Sequence, residues 1–225
     1  MQQVSPKYIV LGGCILAFGA AFVNVGFLLR TGASASHLTG DLSRLASELL
    51  RDDSGYRHGF SLVGAATLGF VLGAFFSGAL LHHPELEIER PYGRVVSAIG
   101  ILLVGSFFCE PISPVASIGL AGLGCGLQNA MASKYRGAVL RTTHMTGLVT
   151  DLGIMLGMRF RGHRIESWRI WVPFFLCLSF FGGSVCGAFA VLTFELPWLA
   201  LAGGAYLLGG ISWSLVKRRL ARRSS

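Results

Sequence analysis

Two short stretches of this chain carry the side chains best suited to recognition or catalysis. The first reads Ser36-His37-Leu38-Thr39-Gly40-Asp41-Leu42-Ser43-Arg44-Leu45 and the second Thr143-His144-Met145-Thr146-Gly147-Leu148-Val149-Thr150-Asp151-Leu152. Both contain His-x-Thr-Gly, a hydroxyl residue three positions after the glycine, then a charged residue and a leucine. Imidazoles and hydroxyls donate and accept hydrogen bonds, and glycine lets a backbone approach closely, so the pair suits a small polar ligand or acid–base work.

Each motif opens a helix, with Ser36 or Thr39 available as N-cap ahead of Asp41, and Thr142 or Thr143 ahead of Thr146. Asp41, Arg44, Glu48 and Arg51 recur on one helical face and Leu38, Leu42, Leu45 and Leu49 on another, which makes the first motif helix amphipathic. Such a helix either lies in the membrane interface or enters the bilayer as a re-entrant half-helix. Two half-helices entering from opposite faces would bring their N-terminal ends together near the midplane, where free N–H groups and helix dipoles favour an anion. The expected substrate site then comprises Asn24, His37, Thr39, Gly40, Gln128, Asn129, His144, Thr146 and Gly147. Arg44 and Asp151 hold equivalent places with opposite charge, so they form a candidate pair across the two motifs; Asp41 and Glu48 are the local alternatives for Arg44.

The elements that must position these residues are membrane helices. With 52% hydrophobic and only 13% charged residues, the chain lacks the charge that coats a soluble protein. Its net charge of +8 sits in short clusters between apolar runs, a pattern of membrane flanks and not of a nucleic-acid groove. Apolar stretches at about 8–29, 59–81, 93–110, 114–133, 171–193 and 196–216 approach the length a bilayer core requires. Leu11-Gly12-Gly13-Cys14 loosely imitates a lipoprotein cleavage box, but the apolar run continues past it, so the first stretch reads as an uncleaved span.

The likeness of the motifs extends outward. Asn24 precedes the first and Asn129 the second, while Gly-x-x-x-Gly-Ala-Phe follows each, at Gly69 to Phe75 and at Gly183 to Phe189. The chain therefore reads as a duplication within one membrane domain spanning 1–225, with repeats at about 8–110 and 114–217 and a basic tail at 217–225. If the motif segments do not cross, fifteen lysines and arginines fall on one side and three on the other; if both cross, the division is twelve to six. The positive-inside rule favours the first arrangement, with both termini cytoplasmic. Three spans per copy is an odd number, so the expected fold is an all-α integral membrane protein of six transmembrane helices and two shorter motif helices, in two inverted three-span repeats. Residues 142–158 are nevertheless apolar enough for a short crossing of their own.

Other residues read as structural. Ala65, Gly69, Gly73 and Ser77, and likewise Ser179, Gly183 and Gly187, form small-residue stripes for close helix contact. Trp168, Trp171, Trp198 and Trp213 lie near span ends as interfacial anchors do. His82, His83, Glu85, Glu87 and Glu89 read as a solvated loop, and the five cysteines as packed thiols; no HExxH or CxxC spacing is present, so neither metal nor cofactor is expected.

The segments Ser36 to Asp41, Gly126-Leu127-Gln128-Asn129-Ala130 and Arg141 to Gly147 resemble the YoaK-like family of bacterial membrane proteins, a domain of unknown function. The resemblance covers nearly the whole chain. It implies six spans in the bacterial inner (plasma) membrane and supplies no substrate. Asn24 stands where the resemblance leads one to expect an acidic residue in many relatives, so a coupling proton carried there is not expected of this member. Residues and resemblance together suggest a small transporter or channel with its site between the repeats. The alternatives are an intramembrane enzyme using His37, His144, Asp41 and Asp151, and a membrane scaffold or regulator. Expected partners are the lipid bilayer and a small anionic solute, with no nucleic acid; assembly as a homo-oligomer is left open.

Overall fold

A computed structural model describes residues 6–50, 56–81, 91–131, 134–135, 138–139 and 142–223. Eight helices account for nearly all of them: α1 (Pro6–Thr31), α2 (Leu38–Leu49), α3 (Tyr56–Leu81), α4 (Tyr92–Cys109), α5 (Pro114–Met131), α6 (Met145–Phe160), α7 (Trp168–Leu192) and α8 (Trp198–Arg223). Two-residue strands, β1 (Lys134–Tyr135) and β2 (Ala138–Val139), pair between α5 and α6. The loop carrying His82, His83, Glu85, Glu87 and Glu89 lies outside the described residues.

Local chemistry accounts for several helix ends. Gly32, at φ +70°, stops α1 and donates its N–H to Leu28 O at 3.0 Å, while Gly162, at φ +85°, stops α6 and bonds Arg159 O at 3.0 Å. Left-handed backbone of this kind costs glycine nothing and so closes helices readily. Pro114 occupies the first position of α5, where its missing N–H would have no helical partner.

Five helices, α1, α3, α4, α7 and α8, are long and apolar enough to cross a membrane. The helix α5, expected among the spans, falls short of them in hydropathy because it carries Gln128 and Asn129 beside four glycines. The motif helices are shorter. At 1.5 Å per residue the 12 residues of α2 reach about 18 Å and the 16 of α6 about 24 Å, less than the roughly 30 Å of a hydrocarbon core. The basic tail expected from residue 217 onward continues α8 as far as Arg223.

Glycines decide which helices touch. Gly69 meets the Gly119 and Leu123 backbone and Gly73 the Leu123 and Leu127 backbone, so α3 and α5 run parallel with no side chain between them. Gly183 lies against Phe18 and Gly187 against Phe22, so α7 and α1 also run parallel. In α4 and α8 the order reverses: Gly93 meets Gly210 and Gly100 meets Gly203, an antiparallel crossing. Small residues suit such contacts in lipid, where close backbone packing replaces the hydrophobic drive between helices. Helices of one half thus pack chiefly on helices of the other, α1 on α7 and α3 on α5.

The main core gathers Val23, Phe27, Leu62, Ile99, Ile118 and Leu199, and a smaller cluster joins Ala17, Leu148, Val172 and Leu176. Large apolar side chains such as Ile15, Leu68, Phe75, Ile101, Phe181 and Leu208 remain on the outside, as expected of a surface meeting hydrocarbon. Two expectations change. Trp198 is 3% exposed, its ring 5.0 Å from that of Phe27, and serves as core instead of an interfacial anchor. Of the cysteines, Cys125 is buried but Cys186 is exposed on α7, so the five are not uniformly packed inside.

Candidate functional site

The two asparagines expected near the motifs hold them in place by matching bonds. Asn24, buried on α1, accepts from the Ser36 backbone N–H at 3.2 Å and the Ser36 hydroxyl at 3.1 Å through Oδ1. Asn129, on α5, accepts from the Thr143 backbone N–H at 3.3 Å and the Thr142 hydroxyl at 3.4 Å, while its Nδ2 donates to Thr143 Oγ1. Each asparagine thereby ties down the residue immediately before a motif histidine. This corrects the capping expectation. Ser36 and Thr143 turn toward the asparagines, α6 is preceded by His144 with no side-chain cap, and the His37 and His144 carbonyls accept the first turn's bonds from Asp41 and Leu148.

The helix α2 is amphipathic, but its charged face is not uniformly turned outward. Asp41 is buried, its Oδ2 accepting from the Ser34 N–H at 2.8 Å and the Ser34 hydroxyl at 2.5 Å, while Leu42 and Leu49 are exposed. The helix packs on α3 through its Leu38 and Leu45 side, not through all four leucines. A buried carboxylate that accepts two donors closes the loop from residue 34 to 41.

Among the expected site residues, the structure joins some and separates others. His37 is half-buried between α1 and α2, with its ring 5.5 Å from Phe180 of α7. Burial lowers its pKa from the ordinary histidine value, Asp41 raises it and His144 lowers it, so the two motif histidines are within electrostatic reach of each other. His144 is exposed and its ring covers Gly147. Thr39, Gly40 and Thr146 are exposed. Arg44 and Asp151 are not brought together: the Arg44 guanidinium donates to Gly32 O, and Asp151 stands exposed on α6. Among the described residues no group of three His, Cys, Asp or Glu side chains is placed to hold a metal ion.

Gln128 links the two halves directly. Its side chain, 1% exposed, donates from Nε2 to Leu16 O at 2.9 Å and to Thr142 Oγ1 at 2.7 Å, and accepts from the Tyr206 hydroxyl at 2.5 Å. One amide thus joins α1, α5, α8 and the second motif. Residues 12–212, which include both motifs, both asparagines and Gln128, match the family described as Protein of unknown function (DUF1275). The chain belongs to that family. No curated protein and no solved structure matches it.

In this DUF1275 member, Tyr206, Phe180 and Ser34 are participants that the motif comparison missed. Tyr206 lies on a span with no motif around it, and Phe180 sits beside a small-residue stripe that reads as helix packing. Ser34 could have been found from the serine-to-aspartate spacing across a small-residue loop. Removing either anchor has a defined expected cost. Asn24→Ala and Asn129→Ala each strand a part-buried backbone N–H and a hydroxyl, and each is expected to lower stability by about 1–2 kcal/mol, measured by unfolding of the purified protein in detergent. An unchanged midpoint for both variants would mean that the motif loops hold without them.

Proposed function

We propose that this DUF1275 protein is a small transporter or channel whose solute site lies between two inverted three-span repeats, with α2 and α6 returning the chain to the side it left. One observation carries the reading: α1 and α7 are parallel, α3 and α5 are parallel, yet the repeat-equivalent helices α4 and α8 are antiparallel. If both motif helices crossed, α4 and α8 would run the same way; if one crossed, α1 and α7 would oppose each other. Only two non-crossing motif helices agree with all three pairs, counting α5 as the sixth span. The antiparallel equivalents in turn support inversion, the architecture in which interrupted helices present their ends to a central solute.

The matching anchors support a site at that meeting point. Asn24 and Asn129 hold two helix N-terminal ends, each headed by a histidine, and the histidines sense each other across the halves. First-turn N–H groups and helix dipoles, with the histidine rings beside them as hydrogen-bond donors, favour a small anionic solute. The clustering of basic residues supports cytoplasmic termini in a plasma membrane.

Topology and activity are tested separately. On a cysteine-free background, Arg30→Cys and Arg57→Cys should react with an impermeant thiol reagent from one side of the membrane, and His163→Cys and Arg219→Cys from the other. Opposite labelling of the first two would make α2 a span and remove the inverted arrangement. For activity, liposomes carrying the protein should take up at least one of a panel of small inorganic and carboxylate anions, with uptake reduced tenfold or more, on the order expected for lost polar contacts, in His37→Ala/His144→Ala. Uptake indifferent to both histidines would place the solute path elsewhere.

A further inference from the structure

On the outer flank of the α4/α8 crossing, the close backbone approach leaves a groove of about 410 Å³. Its polar lip is formed by Arg94 and Ser97 of α4 and by Ser214 and Arg218 of α8. Its floor is apolar, with Ala98, Ile101 and Ile211. Both arginines are exposed, and among the described residues neither has a carboxylate partner. Ser214 already donates its proton to Gly210 O at 2.9 Å, leaving its oxygen as an acceptor.

We propose that this groove binds an anionic phospholipid, with the headgroup phosphate between Arg94 and Arg218 and the beginning of an acyl chain over Ile101 and Ile211. Arginine presents paired N–H groups that match phosphate oxygens, and two guanidiniums with no carboxylate between them among the described residues leave positive charge to be neutralised. The Ser97 hydroxyl adds a donor on the same lip. Depth separates a lipid from free phosphate. Ile101 lies seven residues along α4 from Arg94, about 10 Å further into the apolar part of the helix, and both Ile101 and Ile211 face outward. A charged lip above an exposed apolar track matches the two parts of a lipid, and basic pockets between membrane helices bind acidic headgroups on this principle.

Further along the same helix pair, away from the arginines, lies the internal comparison. There the glycine crossing repeats, with Gly203 against Gly100 and Val104, and the side chain beside Gly100 is the uncharged Leu207. Helix packing is therefore satisfied there without arginine, so packing alone does not call for Arg94 and Arg218.

Native mass spectrometry of the purified protein, titrated with phosphatidylglycerol or phosphatidylcholine, tests this directly. The expected result is retention of phosphatidylglycerol in preference to phosphatidylcholine, weakened on the order of tenfold per arginine in Arg94→Gln/Arg218→Gln. The charge-matched control Arg159→Gln/Arg161→Gln should bind as the parent does, and Arg94→Lys/Arg218→Lys should keep part of the preference, because charge remains while the paired geometry is lost. Equal retention by the glutamine variant, or equal loss in the control, would overturn the assignment. So would displacement of the lipid by millimolar inorganic phosphate, or a dimer that covers the groove and leaves the lipid count insensitive to both arginines.

Discussion

Gly126→Ala is expected to keep α3 and α5 from closing and to cost about 3 kcal/mol or more, enough to lose much of the folded protein at expression temperature. The glycine lies against the Phe70 carbonyl, so an added methyl would overlap its oxygen and approach Ala74 N at 2.9 Å. The obstacle is helix backbone and cannot swing aside as a side chain would. Relief requires the helices to part, which also loosens the contacts at Gly69, Gly73 and Gly122 along the same seam. Two control substitutions separate this from any general effect of alanine. Gly64 and Gly78 lie on the same helix α3 with open space where a Cβ would stand, so Gly64→Ala and Gly78→Ala should be neutral or stabilising by up to about 1 kcal/mol. Unfolding midpoints of the three variants in one detergent decide the matter, and equal values would sink the account of a backbone seam.

Gln128→Leu carries the second large expected effect, a loss of about 2–3 kcal/mol. The substitution nearly preserves volume, so the loss comes from polar groups stranded in a dry interior. The Tyr206 hydroxyl loses Gln128 Oε1 and keeps only Leu16 O at 3.4 Å, and Leu16 O and Thr142 Oγ1 lose the Gln128 donor. Single interhelical hydrogen bonds in membrane proteins average about 0.6 kcal/mol, which for three bonds gives roughly 2. The penalty for buried polar groups left with poorer partners raises that sum. Tyr206→Phe removes the hydroxyl from Gln128 Oε1 and from the longer contact to Leu16 O, but Leu16 O keeps its bond from Gln128 and only one acceptor is stranded, so it should cost about 1 kcal/mol or less. The order of the two variants is the test: a Tyr206→Phe midpoint as low as that of Gln128→Leu would mean that the tyrosine, not the amide, organises the junction. The additional loss in Gln128→Leu should appear as weaker coupling of α5 to α1 and to the second motif, seen as faster amide exchange in those segments.

Several features of the site were legible before any coordinates because the chain states them twice. The equivalence of Asn24 with Asn129, and of the residues preceding each histidine, is a comparison of letters, and the structure gives both asparagines the same bonding role. The small-residue stripes through Gly69 and Gly183 were also readable, since only glycine permits backbone contact at those spacings. The capping expectation went wrong because the Ser36 and Thr143 hydroxyls have a competing partner on another helix, an acceptor for Ser36 and a donor for Thr143, which local preference does not contain. The burial of Asp41 was not readable from helical periodicity, because it depends on the Ser34 N–H and hydroxyl that pair with it.

The sequence by itself determined the membrane class, the approximate limits of the apolar helices and the likeness of the two motifs. These are properties of composition and order along the chain, and burial in hydrocarbon depends on them directly. Only the tertiary structure decided that α1 seeks α7 and α3 seeks α5, that Tyr206 completes the Gln128 junction, and that Arg44 turns to Gly32 while Asp151 stays exposed. The physical reason is that lipid is as apolar as the helices, so hydropathy cannot rank one helix partner above another. That ranking comes from where backbones can touch and where a polar group finds its complement, and both are settled in three dimensions.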